Sequence, residues 1–147
     1  MTHGHEYPKQ DLSSLTDRLR SRDRKITGPR KRILDLLRNH PHPMTNKEVY
    51  EALGAGCDLA TIYRSMRMLE DMGMVKRFDF GDGSARFELV ADGRDDHHHH
   101  LICRECSKIV EIDECFPSEF EEQIAIASGY QQVTHKLEFF GICPACQ

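Results

Sequence analysis

A run of four histidines that leads directly into a Cys-x-x-Cys pair constrains this chain more than any other feature. The histidines are residues 97–100, the first pair is Cys103 and Cys106, and a second pair, Cys143 and Cys146, lies at the C-terminal end. Two thiolate pairs of this spacing can each occupy one edge of a tetrahedral zinc ion. Buried thiols without metal are the alternative. In the cytoplasm, where we expect this protein, thiols are kept reduced, so the two Cys-x-x-Cys pairs favour a structural zinc site with four cysteine ligands.

The segment between the two cysteine pairs predicts a small folded layer. Its 36 residues are too many for a simple zinc ribbon but enough for a strand–helix–strand unit. Strands are expected through the histidines, at 108–112 and near 136–140, with a helix from about 118 to 128 that Gly129 ends. So small a layer has little apolar core, and zinc ligation should contribute much of its stability.

The histidines require a second explanation, because the cysteines already complete one site. In an extended strand alternate side chains face opposite ways, so this run can supply two separate metal sites. A purification tag and a solvated polar tract are the alternatives. The position in mid-chain and the nearby carboxylates Glu88 and Glu111 favour a sensory metal site. Mixed nitrogen and oxygen ligation suits Fe2+, Mn2+ or Zn2+ without choosing among them.

Charge is distributed unevenly along the 147 residues. Residues 1–90 carry sixteen Lys and Arg against thirteen Asp and Glu, whereas residues 91–147 carry four against eleven. A basic first half and an acidic second half, rich in His and Cys, indicate polyanion binding by the first and cation binding by the second. No apolar run reaches the ~18–20 residues of a membrane span and no signal peptide is recognisable, so we expect a cytoplasmic protein without a membrane partner.

The first half has the pattern of a winged helix-turn-helix. A helix is expected from residue 12, a second after Thr27, a third after the capping box of Thr45 and Glu48, and a fourth after Asp58. The fourth helix should bury one side, formed by Leu59, Ile62, Met66 and Leu69. Strand-like runs at 76–80 and 85–89, around a glycine-containing turn, predict a β-hairpin wing.

The other side of the fourth helix is the candidate DNA-reading face. It carries Arg64 and Arg67, with Thr61 and Tyr63 on its flanks. An ordinary solvated helix face is the alternative, but the helix-turn-helix context and the basic stretch at 18–38 favour contact with DNA.

These motifs together resemble the ferric uptake regulator family. The matching stretches are 25–30, 59–64, 86–88, 97–106 and 137–143, and the resemblance covers nearly the whole chain. The histidine–CxxC element followed by a second CxxC is specific, whereas a helix-turn-helix alone would be weak. The resemblance implies a homodimeric, metal-dependent repressor that binds AT-rich palindromic operator DNA when its regulatory metal is present, and so represses metal-uptake genes.

The expected fold class is α+β, with three parts. These are a winged-helix DNA-binding domain at 1–90, a linker at 91–96, and a small α/β dimerisation and metal-binding domain at 97–147. By position, the resemblance implies a DNA-contacting set of Lys25, Arg30, Thr61, Tyr63, Arg64 and Arg67. Lys25 matches the family's minor-groove lysine, and Tyr63 with Arg64 matches the pair that reads the major groove.

The resemblance also implies two metal sites besides the four-cysteine zinc site. The regulatory ligands are His42, Glu88, His98, His100 and Glu111. In a strict alignment Pro43 occupies the position of the family's first regulatory histidine. His42, one residue earlier, is therefore chosen as the ligand, and His40 is the alternative. A possible additional site comprises His97, His99, Glu119 and His135, where His99 replaces a common aspartate and Ser118 stands near the expected glutamate.

Fe2+ is the expected regulatory metal, with Mn2+ or Zn2+ as alternatives. A zinc-uptake regulator and a peroxide sensor of the same family are the alternatives. The zinc type tends to have a cysteine near Glu88, and the peroxide sensor tends to have aspartates in place of Glu88 and Glu111, so these residues favour iron. A zinc hydrolase or a metal-buffering protein is the alternative from another class. Neither would explain the basic winged helix, and no HExxH spacing occurs. Cys57 and Cys115 are expected to be small buried side chains.

Overall fold

The computed structural model describes residues 10–40, 42–90, 98–112 and 117–147. The chain divides into two compact units, Met1–Asp95 and Asp96–Gln147. The linker predicted at 91–96, together with His97 and Cys115, lies outside the described residues, so these domain limits stay a prediction. Within the described ranges, none of the helices combines the length and apolar character needed to cross a membrane.

The N-terminal unit is a winged helix-turn-helix. Its elements in chain order are α1 (Leu12–Ser21), α2 (Gly28–Asn39), β1 (Met44–Thr45), α3 (Asn46–Leu53), α4 (Leu59–Asp71), β2 (Val75–Asp79) and β3 (Ala85–Leu89). Strands β2 and β3 form the predicted hairpin, and β3 also pairs with β1 in an antiparallel sheet. The two-residue strand β1 has no sequence signal, because only its pairing with β3 defines it.

Side-chain caps set the beginnings of the helices, as predicted. Thr27 caps α2, and Thr45 and Glu48 form a reciprocal capping box at α3. Asp58 accepts a hydrogen bond from the Thr61 N–H at 2.7 Å and so caps α4, the candidate reading helix. Hydrogen bonds from Thr61 lower the pKa of Asp58, so the cap is ionised at neutral pH.

The core of the N-terminal unit lies where α4 packs against α2 and α3. Its fully buried side chains are Leu15, Leu19, Ile33, Leu34, Val49, Ile62, Met66, Leu69 and Met74. The prediction that Leu59 belongs to this core is wrong, since its side chain is 40% exposed. Leu59 is the first residue of α4 and lies one turn before the residues that pack inward.

The wing is closed by an ion pair. The Arg86 guanidinium donates two hydrogen bonds to the Asp82 carboxylate, with N···O distances of 3.1 and 2.8 Å, and stacks over the Phe80 ring at 4.9 Å. Arg86 is only 8% exposed. Its hydrogen bonds, followed by one from the Ser84 N–H, hold the pKa of Asp82 below the ordinary 3.8.

We expect Asp82→Asn to reduce the free energy of unfolding by about 1 kcal/mol, because Arg86 is nearly buried and loses its charged partner, while solvent at the half-exposed Asp82 screens the pair. The lowered pKa means that this contribution is fully present above the ordinary value and is lost as pH falls through the folded-state pKa. Urea unfolding of wild type and variant should therefore differ by a constant amount above about pH 5, and the difference should shrink steadily as pH falls below the ordinary carboxyl pKa of 3.8. Glu51→Gln, on an exposed helical position, is the control. A difference that does not shrink as pH falls below 3.8 would contradict the ion-pair explanation.

In its described residues, the C-terminal unit has a three-stranded sheet, an α-helix and a short 3-10 helix. Its elements are β4 (His99–Cys103), β5 (Ile109–Ile112), α5 (Ser118–Ser128), β6 (Glu138–Gly141) and a short 3-10 helix (Pro144–Cys146). β4 is the central strand, antiparallel to β5 and parallel to β6. Gly129 ends α5 with a left-handed backbone at φ 73°, as the sequence predicts.

This unit has little core of its own. Among its residues whose burial is described, the buried ones are His99, His100, Ile102 and Cys103. Two of the four are imidazoles and one is a thiol, all on the central strand. The unit therefore places three predicted metal ligands where larger domains place aliphatic side chains.

Candidate metal centres and DNA-reading face

The two Cys-x-x-Cys pairs converge at one end of the C-terminal sheet. Parallel pairing brings the end of β4, where Cys103 lies opposite Gly141, next to the end of β6. The four predicted sulfur ligands all lie within 4.8 Å of one another. Cys106 Sγ and Cys143 Sγ are 3.7 Å apart, which matches the edge of about 3.8 Å of a tetrahedron with Zn–S bonds of about 2.3 Å.

Hydrogen bonds within the cluster shift the pKa values of two of its cysteine thiols in opposite directions. Backbone N–H groups of Cys106 and then Cys143, the latter at 3.3 Å, donate to Cys103 Sγ and lower its pKa to about 6. Hydrogen bonding with Cys143 and then Cys106 raises the pKa of Cys146 to about 12. Four thiols so close together cannot all ionise without a compensating positive charge, which a Zn2+ ion would supply. The cluster therefore fits a structural zinc ion.

The histidine strand presents alternate imidazoles to opposite sides, as predicted. On one side are His98 and His100, with ring centroids 4.9 Å apart. His100 is fully buried and lies at the register position between Glu111 of β5 and Glu138 of β6. Glu138 Oε2 accepts a hydrogen bond from the His100 backbone N–H at 3.1 Å and lies 3.2 Å from His100 Nδ1.

Sequence reasoning missed Glu138. A signal was present, because a glutamate followed by two phenylalanines in a predicted strand is a charged residue in an otherwise apolar segment. The signal could not identify a partner, since the register of β6 against β4 is set by packing.

His99 faces the other side and meets His135. Their Nε2 atoms are 3.3 Å apart, a separation that suits two nitrogen ligands with metal–N bonds of about 2.0–2.1 Å. Each Nδ1 lies against an oxygen, 2.9 Å from the Leu137 carbonyl for His99 and 2.7 Å from Glu121 Oε1 for His135. The two rings are thus oriented with both Nε2 atoms toward one point.

The helix carboxylate that contacts His135 is Glu121, whereas the choice of Glu119 as a metal ligand of this second set stays a prediction. Glu119 is exposed, whereas Glu121 is half-buried and hydrogen-bonded to His135. Two residues along an α-helix correspond to a rotation of about 200°, so the two carboxylates lie on nearly opposite faces of α5. His97, the remaining member of the predicted set, lies outside the described residues.

The other predicted regulatory ligands lie in the N-terminal unit. Glu88 is half-buried on β3, and His42 is half-buried in the segment between α2 and β1. His40 Nδ1 lies 2.8 Å from the His42 carbonyl oxygen, so the exposed ring of His40 already makes a local backbone contact. The contact involves only Nδ1, so the choice of His42 over His40 as the ligand stays a prediction.

The predicted DNA-reading residues lie on the outer face of α4. Tyr63 is 57% exposed, and Arg64 and Arg67 are exposed beside it. Arg64 Nη2 donates to Thr61 Oγ1 at 3.2 Å. The opposite face of α4, with Ile62 and Leu69, is buried, so the helix is anchored by one side and presents the other.

The two remaining residues of the DNA-contacting set lie next to each other before and within α2. Lys25 is exposed, and Arg30 donates from Nη1 to the Lys25 carbonyl at 2.7 Å. Arg30 therefore holds the backbone of the segment that carries Lys25, and this restricts the positions that the lysine can reach.

Comparison with known proteins gives a consistent result. The family model of the ferric uptake regulator family matches residues 21–140. The ferric uptake regulation protein of Neisseria meningitidis is 35% identical over 127 residues, covering 84% of this chain and 86% of that protein. The peroxide-responsive repressor PerR of Staphylococcus aureus is 34% identical over 143 residues, covering 95% of this chain and 93% of that protein.

A solved structure agrees with these sequence matches. The crystal structure of the Vibrio cholerae ferric uptake regulator superposes with a TM-score of 0.72 at 30% identity, covering 88% of this chain and 99% of that chain. Members of this family are transcriptional regulators and not enzymes. The winged helix, the four-cysteine cluster and these matches together show that the chain belongs to the ferric uptake regulator family of metal-dependent regulators.

Proposed function

We propose that this protein is a homodimeric repressor that binds palindromic operator DNA when a divalent cation occupies a sensory site. Zn2+ occupies the four-cysteine site, and Fe2+ is the regulatory ion, with Mn2+ as its nearest substitute. The sensory ligands are His42, Glu88, His98, His100 and Glu111. The observation that carries the proposal is the pair His98 and His100 on one side of the central strand, in a chain whose other unit is a winged helix.

The proposed mechanism follows from where the ligands lie in the chain. His42 and Glu88 belong to the DNA-binding unit, and the other three ligands belong to the C-terminal unit. An ion that binds both sets favours one linker geometry and hence one spacing between the reading helices of a dimer. The half-sites of the operator require that spacing, so metal binding raises operator affinity by a population shift.

The exposed apolar residues of the C-terminal unit support a homodimer. They are Leu101, Phe120, Ile124, Ile126, Tyr130, Phe139, Phe140 and Ile142, each at least 38% exposed. So many exposed aromatic and aliphatic side chains on about fifty residues exceed what a monomeric surface usually carries. A second copy of the chain is the proposed partner, which agrees with the dimeric architecture of the family.

Operator binding with and without metal tests the switch. A palindromic duplex can be selected from a random pool with the zinc-loaded, Mn2+-saturated protein, and its affinity then measured by fluorescence anisotropy. For wild type we expect Mn2+, or Fe2+ without oxygen, to raise the affinity at least about tenfold, consistent with typical allosteric coupling of about 1–3 kcal/mol. His98→Ala should abolish this increase and His40→Ala should preserve it. Equal affinity of wild type and His98→Ala, with and without metal, would refute the switch.

The same assay separates two kinds of regulator. The peroxide-responsive relative is about as similar as the ferric uptake relative. We expect Fe2+-dependent binding to survive brief exposure to hydrogen peroxide at micromolar levels. Loss of binding under that treatment, but not in the Mn2+-loaded protein, would identify a peroxide sensor instead.

A further inference from the structure

His100 occupies an unusual place in the C-terminal sheet. It lies on the central strand and is flanked at the same register position by Glu111 on β5 and by Glu138 on β6. Its side chain is completely buried, whereas the side chain of Glu138 is 17% exposed. Glu111 belongs to the proposed ligand set. Glu138 belongs to no set so far, although it makes close contacts with His100.

The Glu138 carboxylate is fixed by two groups of the same residue. Oε2 accepts from the His100 backbone N–H at 3.1 Å and lies 3.2 Å from the ring Nδ1, while Oε1 lies 3.5 Å from Nδ1. The backbone hydrogen bond sets the direction from which the carboxylate approaches the ring. Parallel pairing of β4 and β6 makes His100 and Glu138 register partners, and this places the carboxylate beside the imidazole along the strand direction.

A carboxylate in this position controls which ring nitrogen can bind a metal ion. An ionised carboxylate can only accept, so the contact with Nδ1 requires the proton to be on Nδ1. The Nε2 lone pair can then coordinate an ion, and the hydrogen bond also makes that nitrogen a stronger ligand. The residue before Glu138 acts similarly on the other side of β4, where the Leu137 carbonyl lies 2.9 Å from His99 Nδ1.

We propose that Glu138 is a positioning residue of the sensory site, which holds His100 with Nδ1 protonated and Nε2 directed to the metal. The inference rests on the proposed function, since it presumes that His100 binds the regulatory ion. It predicts that β6 contributes to metal affinity through Glu138, without a direct bond from that carboxylate to the ion.

Two variants and two measurements test the inference in the zinc-loaded protein. Glu138→Ala removes the acceptor, Glu138→Gln retains a weaker neutral one, and Glu122→Gln on an exposed position of α5 is the control. Nitrogen-15 NMR of the imidazoles, without regulatory metal, reports which nitrogen of His100 carries the proton. Titration with Mn2+, followed by electron paramagnetic resonance of the unbound ion, reports affinity.

We expect His100 to be protonated on Nδ1 in wild type and to move toward the Nε2–H form in Glu138→Ala. Mn2+ affinity should fall about 10–100-fold in Glu138→Ala and less in Glu138→Gln, because loss of such outer partners has effects of this size. The control should match wild type in both measurements. If Glu138→Ala does not retain its zinc, a reduced affinity of Glu138→Gln at full zinc content decides the question.

The outcomes distinguish this inference from the proposed function. Failure of wild type to bind Mn2+ would reject the sensory site, and the NMR measurement would still show whether Glu138 sets the tautomer. Equal Mn2+ affinity of wild type and both variants would overturn the inference while leaving the sensory site intact. Loss of Mn2+ binding with His100 still protonated on Nδ1 would also overturn it, because Glu138 would then be a ligand.

Discussion

Removal of zinc from the four-cysteine cluster is expected to unfold the C-terminal unit and to dissociate the dimer. Structural zinc in small domains contributes an apparent free energy of roughly 10–16 kcal/mol at neutral pH, which is comparable with or larger than the whole stability of a typical domain of about 5–15 kcal/mol. This unit has only Ile102 as a buried aliphatic residue among those whose burial is described, so apolar packing cannot replace the metal.

The measurement is thermal unfolding by circular dichroism with size-exclusion chromatography, before and after a strong zinc chelator. Cys143→Ser should reproduce the effect of the chelator, because it removes one of the four converging sulfurs. Cys57→Ser is the control, since Cys57 is buried in the N-terminal unit and the variant should retain full zinc content. Chelated protein that kept both its thermal transition and its oligomeric state would show that zinc is not structural.

Loss of the proposed DNA-reading side chains is expected to have the second largest effect. Arg64 and Tyr63 are exposed on α4, and a well-placed arginine contact with a base edge contributes about 1–3 kcal/mol of discrimination. Arg64→Ala should therefore weaken operator binding about 5–150-fold in each half-site, and Tyr63→Ala by a smaller factor. Neither variant should change the thermal stability by much, because both side chains point away from the core.

Fluorescence anisotropy with the metal-loaded protein measures this effect, against Lys108→Ala as a control that removes one positive charge from an exposed position of the C-terminal unit. A mutated duplex separates reading from charge, since loss of a base contact reduces the preference for the operator, whereas loss of a phosphate contact weakens both duplexes equally. Wild-type affinity and specificity in Arg64→Ala would show that another face of the unit reads the DNA.

Much of the N-terminal unit could be predicted because its signals are local. A helix cap involves residues three positions apart, and Asp58 with Thr61 forms the predicted cap of α4. The predictions were wrong or incomplete where the structure depends on packing or pairing with other segments of the chain. Leu59 satisfies the helical periodicity but lies one turn short of the packed interface, and strand β1 exists only through its pairing with β3.

The same difference between local signals and long-range contacts applies to the candidate metal sites. Spacing in the sequence determined the cysteine set and the alternation of the histidines, because two residues of a Cys-x-x-Cys pair share one turn and strand neighbours face opposite sides. Only the tertiary structure decided which carboxylates meet those imidazoles. Glu138 reaches His100, and Glu121 reaches His135, through strand register and helix rotation. Those are set by packing between segments distant in the chain, which no local pattern encodes.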